Sequence, residues 1–233
     1  MMPLVLKQAS ARQIRGTLMN IKKRLSRLTA FAIPVFMILS LSGCISVEKE
    51  NGTVFELSED GEVSQTIVDD ADESVTGEEL ENYINELITE YQSTDNQNSV
   101  SLERCVVSSG KVNISLSYSS IAAYAAFNNV ACFGGTVLEA YSAGYDFNRT
   151  FYDTEGNEIP YYELARYCRE GNVLILEENT ELSIDGELTA MSDGVEIAED
   201  GSIVLNGEYS DEYDSEYQST TSNQMFIIYN TEK

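Results

Sequence analysis

The chain has 233 residues, of which 39 are acidic and 14 basic, and it contains neither histidine nor tryptophan. Without histidine, the common Ser-His-Asp and Cys-His catalytic arrangements cannot be built, and most catalytic zinc sites lose their preferred ligand. Seven basic residues and no acidic one lie in residues 1–43, so the remaining chain is strongly acidic, which excludes nucleic acid as a partner and makes anionic lipid a poor one.

The first 43 residues have the pattern of an export signal. Four basic residues between positions 22 and 27 precede an apolar run of 14 residues, Leu28 to Leu41. Because a membrane-spanning helix needs roughly 20 apolar residues, this run indicates a cleaved signal peptide and not a permanent anchor. Met19 is an alternative translation start that would give the leader a more usual length.

The leader ends at Leu41, Ser42, Gly43 and Cys44. An aliphatic residue, two small residues and a cysteine in this order resemble the lipobox of bacterial lipoproteins. The resemblance implies that a signal peptidase recognises Leu41, Ser42 and Gly43, and that Cys44 receives diacylglycerol and becomes the new N-terminus. Two acyl chains such as palmitate hold a protein on a bilayer where one holds it only marginally. The expected location is the extracytoplasmic face of the cell membrane, whereas an ordinary secretory signal with an incidental cysteine is the alternative.

Residues 44–52 are predicted to be the lipidated cysteine and a short tether, and residues 53–233 a single domain, with a division near residue 170 as an alternative. Asp-Gly pairs at positions 60, 185, 193 and 200 predict tight hairpin turns between short alternating strands. Ser109-Gly110 predicts another hairpin, between Val106/Val107 and the alternating run Val112 to Tyr118.

Three or four short helices are predicted by their caps and apolar spacing. The clearest follows the capping box of Thr76 and Glu79 and has one apolar face from Leu80 to Tyr91. The others are expected at 121–127, after Thr136, and from Pro160 to about Cys168. Five further strands are expected after Gly171. Helices in the first two-thirds and a strand-rich last third predict an α+β fold with antiparallel sheet.

Two segments also resemble uncharacterised lipoproteins of Gram-positive gut anaerobes. They are Ala122 to Phe147, with the sequence AAYAAFNNVACFGGTVLEAYSAGYDF, and Phe226 to Tyr229. This resemblance implies the same fold and location and carries no activity.

No candidate catalytic or metal-binding residue stands out. Ser108 to Lys111 matches a Ser-x-x-Lys spacing but lies in a predicted turn, and Gly134-Gly135 is also interpreted as a turn. Asp153 to Glu158 resembles the opening of a calcium loop, but its glycine is misplaced, so a hairpin turn is favoured. Cys105, Cys132 and Cys168 are expected to be buried free thiols, with one disulfide as the alternative.

A repeat of Glu-Tyr places Tyr209, Tyr213 and Tyr217 four residues apart. On a helix these rings would form a possible binding patch for a sugar or a protein, although a solvated loop is favoured. The predicted function is a lipid-anchored, non-catalytic surface module without cofactor or metal that binds a protein, a glycan or a cation. The alternative is a hydrolase that uses a carboxylate pair on a cell-wall or glycan substrate.

Overall fold

The structure is a computed structural model that describes residues 52–71, 75–94, 98–207 and 224–231. Seven of its strands form one sheet, called the large sheet: β1 Gly52–Leu57, β2 Val63–Asp70, β3 Val100–Ser108, β4 Lys111–Tyr118, β8 Thr180–Ile184, β10 Val195–Ile197 and β11 Ile203–Leu205. Their spatial order is β10, β11, β8, β1, β2, β4, β3. All neighbours are antiparallel except β1 and β8, which are parallel.

The other five described strands form the small sheet: β5 Cys132–Thr136, β6 Phe151–Tyr152, β7 Asn172–Leu176, β9 Glu187–Ser192 and β12 Met225–Asn230. Their spatial order is β5, β7, β12, β9, β6, and all the pairs are antiparallel. The last described strand, β12, is therefore the central strand of this sheet.

Four helices lie in the described chain: α1 Gly77–Thr94, α2 Ile121–Asn128, α3 Val137–Ala143 and α4 Tyr161–Glu170. The capping boxes predicted for α1 and α3 are both present, since Thr76 and Thr136 exchange hydrogen bonds with Glu79 and Glu139. Ser120 caps α2 by accepting a hydrogen bond from the backbone N of Ala123. The predicted α+β fold class is confirmed, although one parallel strand pair interrupts the antiparallel pattern. None of the described helices is long and apolar enough to cross a bilayer.

Two hydrophobic clusters lie on opposite faces of the small sheet. The larger cluster joins one of these faces to the inner face of the large sheet and to α1 and α2, and includes Phe55, Leu116, Ile84, Phe127 and Ile227. The smaller cluster joins the other face to α3 and α4, and includes Ala140, Leu164, Val173, Phe226 and Ile228. The large sheet and the pair α3 and α4 are thus the two outer layers of the molecule.

The predicted apolar face of α1 is confirmed, with two adjustments. Leu80, Ile84, Ile88 and Tyr91 are buried in the larger cluster, whereas Tyr83 and Leu87 of the same predicted face are only half-buried. Ile84 is fully buried, which makes it the centre of the contact between α1 and the large sheet.

Only two of the four Asp-Gly pairs form the predicted hairpin turns. Asp60-Gly61 joins β1 to β2 and Asp200-Gly201 joins β10 to β11, each with a positive φ at glycine. Asp185-Gly186 and Asp193-Gly194 instead carry the chain into and out of β9, which lies in the other sheet, so the hairpin prediction was wrong there. The dipeptide sets a local turn, but the burial of the strand faces decides which strands pair.

The interpretation of Gly134-Gly135 as a turn was also wrong, because both residues lie in β5. A Cβ atom on Gly134 would overlap the side chain of Ile121 in α2. The absence of a side chain therefore lets α2 pack closely on the small sheet. The predicted turn at Ser109-Gly110 is present, with a positive φ at both residues.

Candidate functional site

The outer face of the large sheet carries a row of polar side chains that crosses five strands. Glu56 of β1 pairs with Ser183 of β8 and with Ser64 of β2, and Ser64 pairs with Ser117 of β4. Ser117 pairs in turn with Ser101 of β3. Because paired residues share a face of a sheet, these five side chains, which we call the polar row, point away from the core. None of the described helices packs on this face.

Part of the polar row opens into a depression of 350 Å³. The β1–β2 turn forms one wall, where the Ser58 hydroxyl accepts a hydrogen bond from the backbone N of Glu62 at 3.1 Å. The other wall follows β8, where the backbone N of Asp185 donates to the carbonyl of Leu57 at 2.9 Å. The polar residues that line it are Glu56, Ser58, Glu62, Ser64, Ser117, Ser183 and Asp185.

The lining defines what the depression can bind. An ionised carboxylate only accepts hydrogen bonds, whereas a serine hydroxyl both donates and accepts them. Three carboxylates and four serines therefore suit a ligand that presents hydroxyl or ammonium donors. The remaining lining residues, Leu57, Val63 and Ile184, are aliphatic, so recognition here depends on hydrogen bonds and charge and not on ring stacking.

A second polar group, the buried polar cluster, lies between the large sheet and α2. The Tyr118 hydroxyl donates to Gln65 Oε1 at 2.7 Å and accepts from Asn128 Nδ2 at 3.1 Å. The Tyr124 hydroxyl donates to Glu178 Oε2 at 2.6 Å and accepts from Gln65 Nε2 at 3.4 Å. Gln65, Asn128 and Tyr118 are fully buried, and Tyr124 is almost so. These bonds fix the position of α2 on the sheet.

Burial determines the chemistry of this cluster. Burial raises the pKa of the Tyr118 hydroxyl and the pKa of the Tyr124 hydroxyl. The nearby Glu178 carboxylate raises the pKa of Tyr124 further. Both hydroxyls therefore stay protonated at neutral pH. Asn128 Oδ1 is buried without a hydrogen-bond partner in the described chain. A network of neutral donors around one carboxylate suits a structural role better than catalysis.

Four exposed apolar side chains on the outer helices form a separate surface, which we call the aromatic surface. They are Leu138 and Tyr141 of α3 and Tyr161 and Tyr162 of α4, with exposed fractions of 74, 48, 78 and 75%. Only two other large apolar residues are exposed in the described chain, each by less than 40%. Tyr161 lies close to Tyr141, so that partial burial, Cys168 and Tyr161 together raise the pKa of the Tyr141 hydroxyl.

No family model, curated protein or solved structure matches this chain.

The three described cysteines are free thiols, as predicted. They are half-buried, however, and the expectation of full burial was wrong. The pKa of the Cys132 thiol is raised by desolvation and by Glu178, and desolvation likewise raises the pKa values of Cys105 and Cys168. Since the thiolate is the reactive form, none of the three has the environment of a nucleophile.

The helical spacing predicts that Cys168 is buried on a face shared with Tyr161, Leu164 and Ala165, and this prediction needs a correction. Leu164 packs into the smaller cluster, but Tyr161 and Ala165 point to solvent. The helix predicted at α4 is present, but only a narrow side of it contacts the core. Part of the apolar face that the sequence predicts is therefore exposed to solvent.

The favoured interpretation of the calcium-like segment is confirmed. Tyr152 and Glu158 form an antiparallel bridge around the turn, and Gly156 has a positive φ. Hydrogen bonds from the backbone and side chain of Asn157 lower the pKa of Asp153. Among the described residues, no group of three or more acidic or cysteine side chains could hold a metal ion.

Other predicted site residues lie outside the described residues. They are the lipobox residues Leu41, Ser42 and Gly43, the lipidation candidate Cys44, and the possible binding patch Tyr209, Tyr213 and Tyr217.

The sequence analysis missed the polar row, the aromatic surface and the buried polar cluster. The serines of β4, Ser115 and Ser117, alternate with apolar residues, which is a signal for a polar sheet face. The row itself depends on register between strands that are far apart in sequence, such as β1 and β8, and no local pattern specifies that register.

Proposed function

We propose that this chain is a lipid-anchored, non-catalytic binding module on the extracytoplasmic face of the membrane, and that its ligand is a glycan bearing amino groups. The anchor is inferred from Leu41, Ser42, Gly43 and Cys44, which resemble a lipobox. The ligand class is inferred from the polar row and its depression.

The observation that carries the binding proposal is the alignment of Glu56 with four serines across five neighbouring strands. Neighbouring strands lie roughly 4.8 Å apart, so the row presents regularly spaced hydrogen-bonding groups along a line of about 20 Å. An extended oligosaccharide has hydroxyl groups on both of its edges and a comparable length. Charged hydrogen bonds from ammonium groups to Glu56, Glu62 or Asp185 would favour an amino sugar over its acetylated form.

Binding can be tested by calorimetry with residues 44–233 carrying Cys44→Ser, using an oligosaccharide of glucosamine and its N-acetylated counterpart. We expect the amino form to bind at least about tenfold more tightly, which corresponds to 1.4 kcal/mol, and Glu56→Gln to remove most of that difference. The matched control is Glu196→Gln, which changes an exposed carboxylate at the far edge of the same sheet. Equal binding of both sugars, or an unchanged preference in Glu56→Gln, would reject the proposed ligand.

The same samples separate binding from hydrolysis. A carboxylate-based hydrolase would release new reducing ends from the oligosaccharide during incubation, and Glu56→Gln or Asp185→Asn would stop the release. We expect no release with either sugar.

The anchor needs its own test. Mass spectrometry of the membrane fraction should find an N-terminus at Cys44 that carries diacylglycerol, and Cys44→Ala should leave the unprocessed precursor. A mature chain that starts elsewhere, with Cys44 unmodified, would contradict the anchor and leave the glycan result unaffected.

A further inference from the structure

We propose that the aromatic surface, together with Arg166 and Arg169 of α4, docks the domain onto an anionic lipid bilayer. The proposal rests on the membrane anchor of the proposed function, and it adds an orientation: α3 and α4 face the membrane, and the polar row faces away from it.

The first argument is the chemistry of α4. Arg166 and Arg169 are both exposed, and neither forms an ion pair with a described residue, although acidic side chains are abundant. Tyr162 precedes Arg166 by four residues and Arg169 follows it by three, so the three side chains share the outward face of the helix. Tyrosine beside arginine is a combination typical of membrane–water interfaces, where the ring sits among the headgroups and the guanidinium contacts phosphate.

The second argument is that the other described basic residues either contact groups of the protein itself or lie in another layer. Lys111 forms an ion pair with Asp70 at 2.7 Å. Arg149 lies over the ring of Phe226 at 4.0 Å and donates to the carbonyl of Gln224. Arg104 lies on the edge strand β3 of the large sheet, in the layer opposite α3 and α4. Two exposed arginines therefore occur side by side only on α4, next to the most exposed tyrosines of the described chain.

The third argument is the path of the tether. Eight residues, Cys44 to Asn51, separate the proposed lipid from β1, and eight residues span at most about 28 Å. The domain therefore cannot move far from a bilayer that holds Cys44. One face of the domain must then rest near the lipid. Because the tether ends at Gly52, the position of Gly52 limits which face this is.

The tether ends at Gly52 in the large sheet, the layer opposite α3 and α4, but a chain of contacts links the neighbouring Thr53 to the aromatic surface. The carbonyl of Thr53 accepts a hydrogen bond from the Thr180 hydroxyl at 2.9 Å, and Thr180 follows the end of β7 by four residues. Tyr141 stacks on Phe147, which contacts Phe226. Phe226 pairs with Ile175 next to the end of β7. A short tether can therefore let Tyr141 and its neighbours reach the membrane that holds the lipid.

The acidic charge of the whole chain does not prevent this contact. At physiological ionic strength the Debye length is about 8 Å, so carboxylates on the opposite layer are screened from the bilayer. Of the nearer acids, Glu139 is held in the capping box at the start of α3 and Glu163 is half-buried, whereas Asp146 is exposed near Tyr141. Local arginines can therefore attract anionic headgroups even though the molecule as a whole is anionic.

The absence of tryptophan and histidine allows a direct test. Residues 44–233 with a polyhistidine tag in place of the lipid can be held on vesicles that contain nickel-chelating lipid, phosphatidylglycerol and brominated phosphatidylcholine. Tyr162→Trp then introduces a single indole at the aromatic surface, and Val106→Trp introduces one at an exposed site on β3 as a matched control. Bromine quenches only an indole that reaches the acyl region.

We expect quenching of the Tyr162→Trp indole to exceed that of the Val106→Trp indole by about threefold or more. Adding Arg166→Gln and Arg169→Gln should reduce the quenching several-fold, whereas Arg104→Gln should leave it unchanged. Circular dichroism confirms that each variant is folded. Equal quenching at the two positions would overturn the docking, and quenching that persists in the double arginine variant would overturn the role of anionic lipid. Because the tag replaces the lipid, neither outcome depends on whether Cys44 is modified.

Discussion

At the scale of single residues, the buried polar cluster is the most constrained part of the molecule. Five polar side chains share four hydrogen bonds in a region where water is largely excluded. A buried network of this kind stabilises one arrangement of its neighbours, because any other arrangement leaves donors or acceptors unpaired. The cluster therefore specifies where α2 sits and, through Glu178, where the chain passes from the small sheet to the large one.

Tyr118→Phe tests this role. The change removes the donor to Gln65 and the acceptor for Asn128 Nδ2, and it leaves both amides buried and incompletely paired. We expect a loss of about 1–3 kcal/mol in the free energy of unfolding, measured by urea titration. Tyr161→Phe, which removes an exposed hydroxyl, should change stability by less than about 0.5 kcal/mol. A neutral Tyr118→Phe would show that the cluster contributes nothing to stability.

The same tyrosines predict how stability depends on alkaline pH. Burial raises the pKa of Tyr118 and of Tyr124 above the ordinary tyrosine value of 10.0, which the unfolded chain retains. The unfolded chain therefore loses these protons first, so stability is fully present below pH 10 and falls as the pH rises beyond it. Urea titrations at increasing pH should show this fall. In Tyr124→Phe the fall should be shallower, and an equal fall would assign the effect to other groups.

At the scale of elements, α1 contributes one face to the larger cluster. Ile84→Ala removes a fully buried side chain from the centre of that face, and we expect it to cost about 2–5 kcal/mol, as large-to-small core changes do. Asn82→Ala, on the exposed side of the same helix, should cost less than about 0.5 kcal/mol. Urea unfolding measures both. A small effect at Ile84 would mean that α1 does not belong to the cooperative core.

Elements with strong local signals could be predicted from the sequence, whereas the contacts between different elements could not. The caps at Thr76, Ser120 and Thr136 locate three helices because capping depends on residues within one turn. Gly134 was misjudged because its role depends on Ile121, a side chain from another element. The polar row was missed for the same reason, since it depends on the register of distant strands. The strands of the last third were recognised, except β8, whose mixed polar sequence resembles a loop.

At the scale of the whole molecule, charge should limit stability. After residue 43, 39 acidic residues face only seven basic ones, so many carboxylates in the compact state repel one another. Salt shortens the Debye length from about 8 Å at 0.15 M to about 3 Å at 1 M, which weakens this repulsion. We expect residues 44–233 to melt at a higher temperature as sodium chloride is added. An unchanged or lower melting temperature would mean that most of the acids are paired.

The position of β12 at the centre of the small sheet also has a consequence for the order in which the chain can fold. Residues 225–230 pair with β7 on one side and β9 on the other, and both hydrophobic clusters contain residues of this strand. The small sheet therefore cannot close until residues 225–230 have been synthesised. A sheet that waits for this strand leaves its core open while the preceding residues emerge from the ribosome, and in that state they can pass through a narrow channel before the core forms.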